Sequence, residues 1–142
     1  MIKEDSGQVS LEYILIFTVS LIVLMVFTLP LAEQSIEMTF DVSDSLNVKS
    51  DISRISQAIK EVYGEGQESM HTVNVNSNKK IKITITNSYV SCNLKLKNND
   101  NKQIRQYVNS NIKKTLVTLH KGDNVLVVQW PRNSENIIVY MK

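Results

Sequence analysis

The chain has few of the residues that build most recognisable chemistry: one cysteine, two histidines, two prolines, four glycines and one tryptophan in 142 residues. A lone Cys92 excludes an intrachain disulfide, so no disulfide framework supports the fold. It reads as a small buried hydrophobe in a strand. His71 and His120 lie far apart, and neither stands at metal-ligand spacing from Cys92. A glycine-rich phosphate loop, a nucleophile elbow and a zinc motif are all missing. The reading is therefore non-enzymatic, with no cofactor and no metal expected. Asparagine is abundant, yet no Asn-x-Ser/Thr sequon occurs, so N-glycosylation is not expected. The longest absence is of charge. From Tyr13 to Ala32 there is no Asp, Glu, Lys or Arg.

That uncharged run dominates what is present. At a helical rise of about 1.5 Å per residue, some 20 residues cover about 30 Å, the thickness of a bilayer's hydrocarbon core. Glu12 stands at its mouth and Pro30 near its end, where a kink is expected because proline removes a backbone hydrogen bond. A secretory signal cut after Ala32 is disfavoured, since Pro30 occupies a position that needs a small residue. Lys3 and the amino terminus favour a cytoplasmic N-terminus. Charge is also unevenly shared. Nine acids face three bases from Gln8 to Glu68, whereas twelve bases face three acids from Ser69 to Lys142.

Beyond the run, Ile36, Phe40, Val48, Ile52, Ile55, Ile59 and Val62 recur mostly at three- and four-residue spacings. That pattern continues the helix as an amphipathic one, with Asp41–Asn47 the weakest stretch. Gly64 and Gly66 end it. The period then falls to two. Lys80–Thr86 is predicted as a strand with Ile81, Ile83 and Ile85 on one face. Tyr89–Lys97 is a second strand, with Leu94 and Leu96 inward. Asn98–Asn101 is a turn, and Ile104–Val108 reads as a strand or one helical turn, the strand preferred. Thr115–His120 and Asn124–Trp130 flank Lys121-Gly122-Asp123 as a hairpin, and Ile137–Met141 closes the chain. The expected fold is α+β: a long, kinked N-terminal hydrophobic helix packed on a small antiparallel β-sheet head, its stripe from Ile36 to Val62 covering one sheet face.

The order Gly7-Gln8-Val9-Ser10-Leu11-Glu12-Tyr13 before the uncharged run resembles the class III signal peptide of archaeal type IV pilin precursors, especially those of methanogens. The hallmark Gln-x-Ser-x-Glu-Tyr is matched by Gln8, Ser10, Glu12 and Tyr13. The resemblance covers roughly Met1 to Ala32. It implies a leader, residues 1–7, removed by a membrane prepilin peptidase that cuts between Gly7 and Gln8. It further implies a filament-core helix over 8–32, an amphipathic continuation over 33–66, and a β-rich extracytoplasmic head over 67–142. The implied partners are the peptidase, other pilin subunits, an assembly ATPase and a platform protein. The implied path runs from single-pass membrane precursor to extracellular filament. Desolvated in a filament core, Glu12 needs a cation, and the implied one is the new α-amino group of a neighbouring copy; that pairing sets register. Cyclisation of Gln8 to pyroglutamate removes that amine's charge.

The lysine-rich head admits three roles: pairing with the acidic helix of a neighbour, binding an anionic surface or DNA, or simply solvating strand faces and guarding sheet edges. A competing class is a single-span anchored binding domain that never polymerises. A mere anchor has no use for the N-terminal motif, and that discriminates the two.

Overall fold

The computed structural model describes residues 4–97 and 100–142, with side chains described from Ser10 onward. The expected turn at Asn98–Asn101 therefore lies partly outside the described residues, as does Met1–Lys3 of the leader. The order is one helix, α1 (Glu4–Glu65), then β1 (Met70–Ser77), β2 (Ile81–Ile85), β3 (Tyr89–Lys95), β4 (Asn101–Tyr107), β5 (Thr115–Leu119), β6 (Gly122–Gln129) and β7 (Ile138–Met141). The chain divides into two compact units, with the division between Phe40 and Asp41.

In the first unit, α1 continues through Pro30. Every described side chain from Ser10 to Phe40 is exposed. Thr18 and Thr28 donate to the carbonyls of Ile14 and Leu24, at 2.8 and 2.5 Å. Their hydroxyls are thus satisfied by their own helix, and mostly hydrocarbon remains outward.

In the second unit, α1 carries a narrow buried stripe. Val48, Ile52, Ile55, Ile59 and Val62 are each at most 4% exposed. Their spacings of four, three, four and three keep them on one side of a 3.6-residue helix. Ile36 and Phe40, expected to extend this stripe, are exposed. The stripe begins at Ser45, and Asp41–Asn47, a weak helix candidate by its turn-forming residues, is helical throughout. Gly66 ends the helix in the left-handed region at φ +92°, where a side chain is strained. Its N–H bonds Val62 O at 3.1 Å.

The strands form two antiparallel sheets rather than one. The order is β1-β6-β7 in the first and β4-β3-β2-β5 in the second. Alternation works as expected on β2, where Ile81, Ile83 and Ile85 are buried while Lys82 is exposed. One core joins the helical stripe to Val73, Val75, Leu126 and Val128 of the first sheet and to Ile83, Ile85, Val90 and Leu94 of the second. Cys92 is free and buried in that core, the small hydrophobe expected.

Two further expectations need correction. β1 has no counterpart among the predicted strands. Its Val73 and Val75 alternate with Asn74 and Asn76, and asparagine is poor in strands, so two buried valines are the whole signal. The Lys121-Gly122-Asp123 hairpin is not one. β5 pairs with β2, whereas β6 pairs with β1 and β7. The chain changes sheets at this corner, and the side chain of Asn124 fastens it. His120 N donates to Asn124 Oδ1 at 2.8 Å, and Asn124 Nδ2 donates to the carbonyls of His120 and Gly122 at 2.7 and 2.8 Å. A buried asparagine beside a turn glycine at φ +100° thus replaces the ladder that a hairpin supplies. Asn124→Ala removes all three bonds. It is expected to cost about 2 kcal/mol in urea unfolding of the micelle-solubilised chain, against near zero for Asn109→Ala on the exposed surface.

Candidate functional site

The N-terminal motif lies entirely on α1. Backbone helix runs through Gly7 and Gln8, and the Gln8 side chain is outside those described. Ser10, Glu12 and Tyr13 are all exposed. On a helix, position 12 sits one turn beyond position 8, and Tyr13 one turn beyond Ser10. The carboxylate of Glu12 follows the glycine–glutamine junction and precedes an apolar surface that includes Leu15, Phe17, Ile22, Leu24 and Phe27, each 56–67% exposed. Among the described residues, α1 is the one helix long and apolar enough to cross a membrane.

Several acids in the second part of α1 meet donors of the β-rich region, from β1 and from the segments before β2 and after β3. Lys79 Nζ meets Asp44 Oδ2 at 2.7 Å, and Lys97 N donates to Asp41 Oδ1 at 3.1 Å. His71 lies between two glutamates, Nδ1 at 3.4 Å from Glu61 and Nε2 at 2.9 Å from Glu65. The two carboxylates occupy opposite ring nitrogens, so they do not converge on a common point. Among the described residues no group of His, Cys, Asp and Glu is arranged to hold a metal. Tyr63 stacks on Trp130 with ring centroids 5.7 Å apart, and the indole N–H donates to Ser134 O at 2.8 Å. These aromatics fasten the end of α1 to the loop after β6.

Among the described residues two titratable groups are perturbed, neither in a catalytic arrangement. Burial pushes the Cys92 thiol up to about 11, with the charge of Lys79 acting in the opposite direction. The residue is a neutral thiol near pH 7, which suits a packing role. Asp51 is 8% exposed, and burial raises its pKa while Arg54 pulls the other way. It borders a polar cleft of about 280 Å³ with Asn47, Ser50, Arg54, Asn76 and Asn78.

Residues 7–31 match the family model for the Class III signal peptide. No curated protein and no solved structure matches the chain. The matched segment supports a type IV pilin-like precursor, the class that the N-terminal resemblance named. With the apolar helix it supports a membrane-anchored precursor, and it implies processing by a prepilin peptidase. One long N-terminal apolar helix, packed through its later turns on antiparallel sheets, gives an α+β fold like that of type IV pilins. Pilin-like proteins are structural, not enzymatic.

Asp51 gives a pH-dependent expectation. Its folded pKa lies above the ordinary 3.8. Its contribution to stability is therefore fully present below 3.8 and is lost as pH rises through the raised folded value. Asp51→Asn removes this dependence. In urea titrations between about pH 3 and pH 8, the variant is expected to match wild type at the acid end and to exceed it increasingly toward neutrality.

Proposed function

We propose that the chain is a structural subunit of a type IV pilus-like filament, a pilin or minor pilin. It is made as a membrane precursor with a cytoplasmic N-terminus and cut between Gly7 and Gln8. The observation that carries this reading is the conjunction of the matched segment with an apolar helical surface whose described side chains are all exposed. Each exposed Leu, Ile, Val or Phe forgoes about 1.5–3 kcal/mol of burial in water. From Leu11 to Leu31 more than a dozen such side chains are 40% or more exposed. A bilayer covers them while the precursor waits, and helices of other copies cover them in a filament.

The steps follow from the chain's own chemistry. Gly7 offers no side chain at the residue before the cut and weakens the helix by about 1 kcal/mol relative to alanine, which eases local unwinding for a protease. Cutting removes residues 1–7 and leaves the apolar run as the new N-terminal segment. Glu12 then enters a helix bundle. A desolvated carboxylate there is strongly unfavourable unless it meets a cation, and the new α-amino group of an adjacent copy is the available one. Other alignments leave the charge unpaired, so the pair sets axial register. Pro30 supplies a point where the helix bends or opens as copies pack. Extraction from the membrane requires an assembly ATPase and a platform protein. Neither catalysis nor a cofactor enters this scheme.

The mass of the N-terminal peptide from the protein in its native cells tests the route. A peptide starting at Gln8 is expected, with loss of ammonia if the glutamine has cyclised. A peptide retaining Met1 through Gly7 favours the anchored, non-polymerising binding domain instead. Gly7→Asp is expected to leave the uncut precursor in the membrane, seen as an unchanged precursor mass. Glu12→Ala is expected to insert and be cut normally while reducing subunits in the sheared filament fraction by about tenfold or more, the scale set by one unpaired buried charge.

A further inference from the structure

The second sheet has a one-signed outer surface. Between Ile81 and Leu119 the sequence has seven bases and one acid, Asp100. Lys80, Lys82 and Lys95 line a cleft of about 650 Å³ on this sheet, together with Tyr89 and Leu116. Arg105 is already occupied; it lies 4.6 Å from the centroid of Tyr89 and donates to Gln103 at 2.9 Å. Among the described residues, Lys80, Lys82 and Lys95 form no ion pair. Like charges gathered on one face repel, and that repulsion is relieved by a matching anion.

A matching anion occurs in the same chain. Glu33 and Glu37 are exposed on α1, directly after the uncharged run, and among the described residues neither has an ion pair. Four residues along a helix is about 6 Å of rise, which places both carboxylates on one side. On the sheet, the register that pairs Thr84 with Ser91 puts Lys82 level with Asn93, and Lys95 two residues farther along β3. Diagonal neighbours on adjacent strands are about 7–8 Å apart, so the two spacings are commensurate. The next acids along the helix in sequence, Asp41 and Asp44, already accept from the strand side, at Lys97 N and Lys79 Nζ. Donors from the segments flanking this sheet, just before β2 and just after β3, thus already meet acids of this helix within one copy.

We infer that the Lys80–Lys82–Lys95 face binds Glu33 and Glu37 of a second copy of this chain. The inference rests on the self-assembly reading above and names the polar contact that accompanies the apolar one. A second copy is favoured over an external polyanion because Glu33 stands immediately after the segment that gathers copies together. Packing of that segment raises the local concentration of these acids around neighbouring subunits. Each exposed pair is weak alone. Repeated at every subunit, the pairs select one neighbour geometry and exclude those that bring lysine to lysine.

The test is a charge exchange in cells making no other copy of the protein. Lys82→Glu with Lys95→Glu, and separately Glu33→Lys with Glu37→Lys, are each expected to lower sheared filament about tenfold or more, while the processed subunit stays in the membrane. All four substitutions in one chain are expected to restore filament to within about threefold of wild type. A second measurement needs no variant. Filaments mixed from isotopically light and heavy subunits and treated with a zero-length carbodiimide should yield light–heavy linked peptides joining Glu33 or Glu37 to Lys80, Lys82 or Lys95. Unchanged filament in either reversal, no recovery in the fourfold variant, or no light–heavy link overturns the inference. So does a Lys82→Glu, Lys95→Glu chain that assembles normally but no longer binds heparin, because the face then serves a polyanion. If wild type yields no sheared filament at all, it is the self-assembly reading that fails.

Discussion

The second unit depends on one contact, the burial of a five-residue helical stripe against two sheets. Val48, Ile52, Ile55, Ile59 and Val62 are almost fully removed from water. At about 1.5–3 kcal/mol each, their burial is of the order of a small domain's whole net stability. The two sheets share no strand, and residues from both close on this stripe in a single core. Without it, each sheet would present one apolar face to water.

Polar contacts then fix the arrangement at the margins of that core. Lys79 on Asp44, Lys97 N on Asp41 and His71 between Glu61 and Glu65 bring strand-side donors to acids of α1. Exposed pairs of this kind add little stability singly. Their value is directional, since helix acids and strand-side donors meet at several separate points along α1. The buried, poorly paired Asp51 is the exception; it costs the folded state at neutral pH, for burial favours its protonated form.

The two parts of α1 obey the same physics with opposite results. From Val48 to Val62 the buried apolar residues form a single stripe, and the stripe is covered, while Val42 and Leu46 remain exposed. From Leu11 to Leu31 they surround the helix, and the described side chains are exposed. A helix apolar on all sides is satisfied by lipid or by other helices. That makes the first unit a segment whose stable environment is supplied by a membrane or by further copies, which is what a pilin-like precursor requires.

Periodicity and charge by themselves determined the long helix, its end at Gly66, the strands around Ile83, Cys92 and Val139, and the N-terminal motif. Each is a local pattern of side chains along a few turns or strand residues, and local patterns survive in one dimension. Tertiary structure decided every feature that depends on strand pairing. Two short runs flanking Lys121-Gly122-Asp123 look like a hairpin because strand propensity and a turn glycine are all that sequence displays. Whether such strands join each other depends on which edges are free, and here Asn124 turns the chain from one sheet to the other. β1 is hidden in the sequence because asparagines mask its two valines, and only pairing with β6 makes it a strand. The lysines of β2 and β3 are plain alternating residues in the sequence. Only the pairing of Thr84 with Ser91 gathers them on one face, because a strand's neighbours are chosen by the fold and not by the chain.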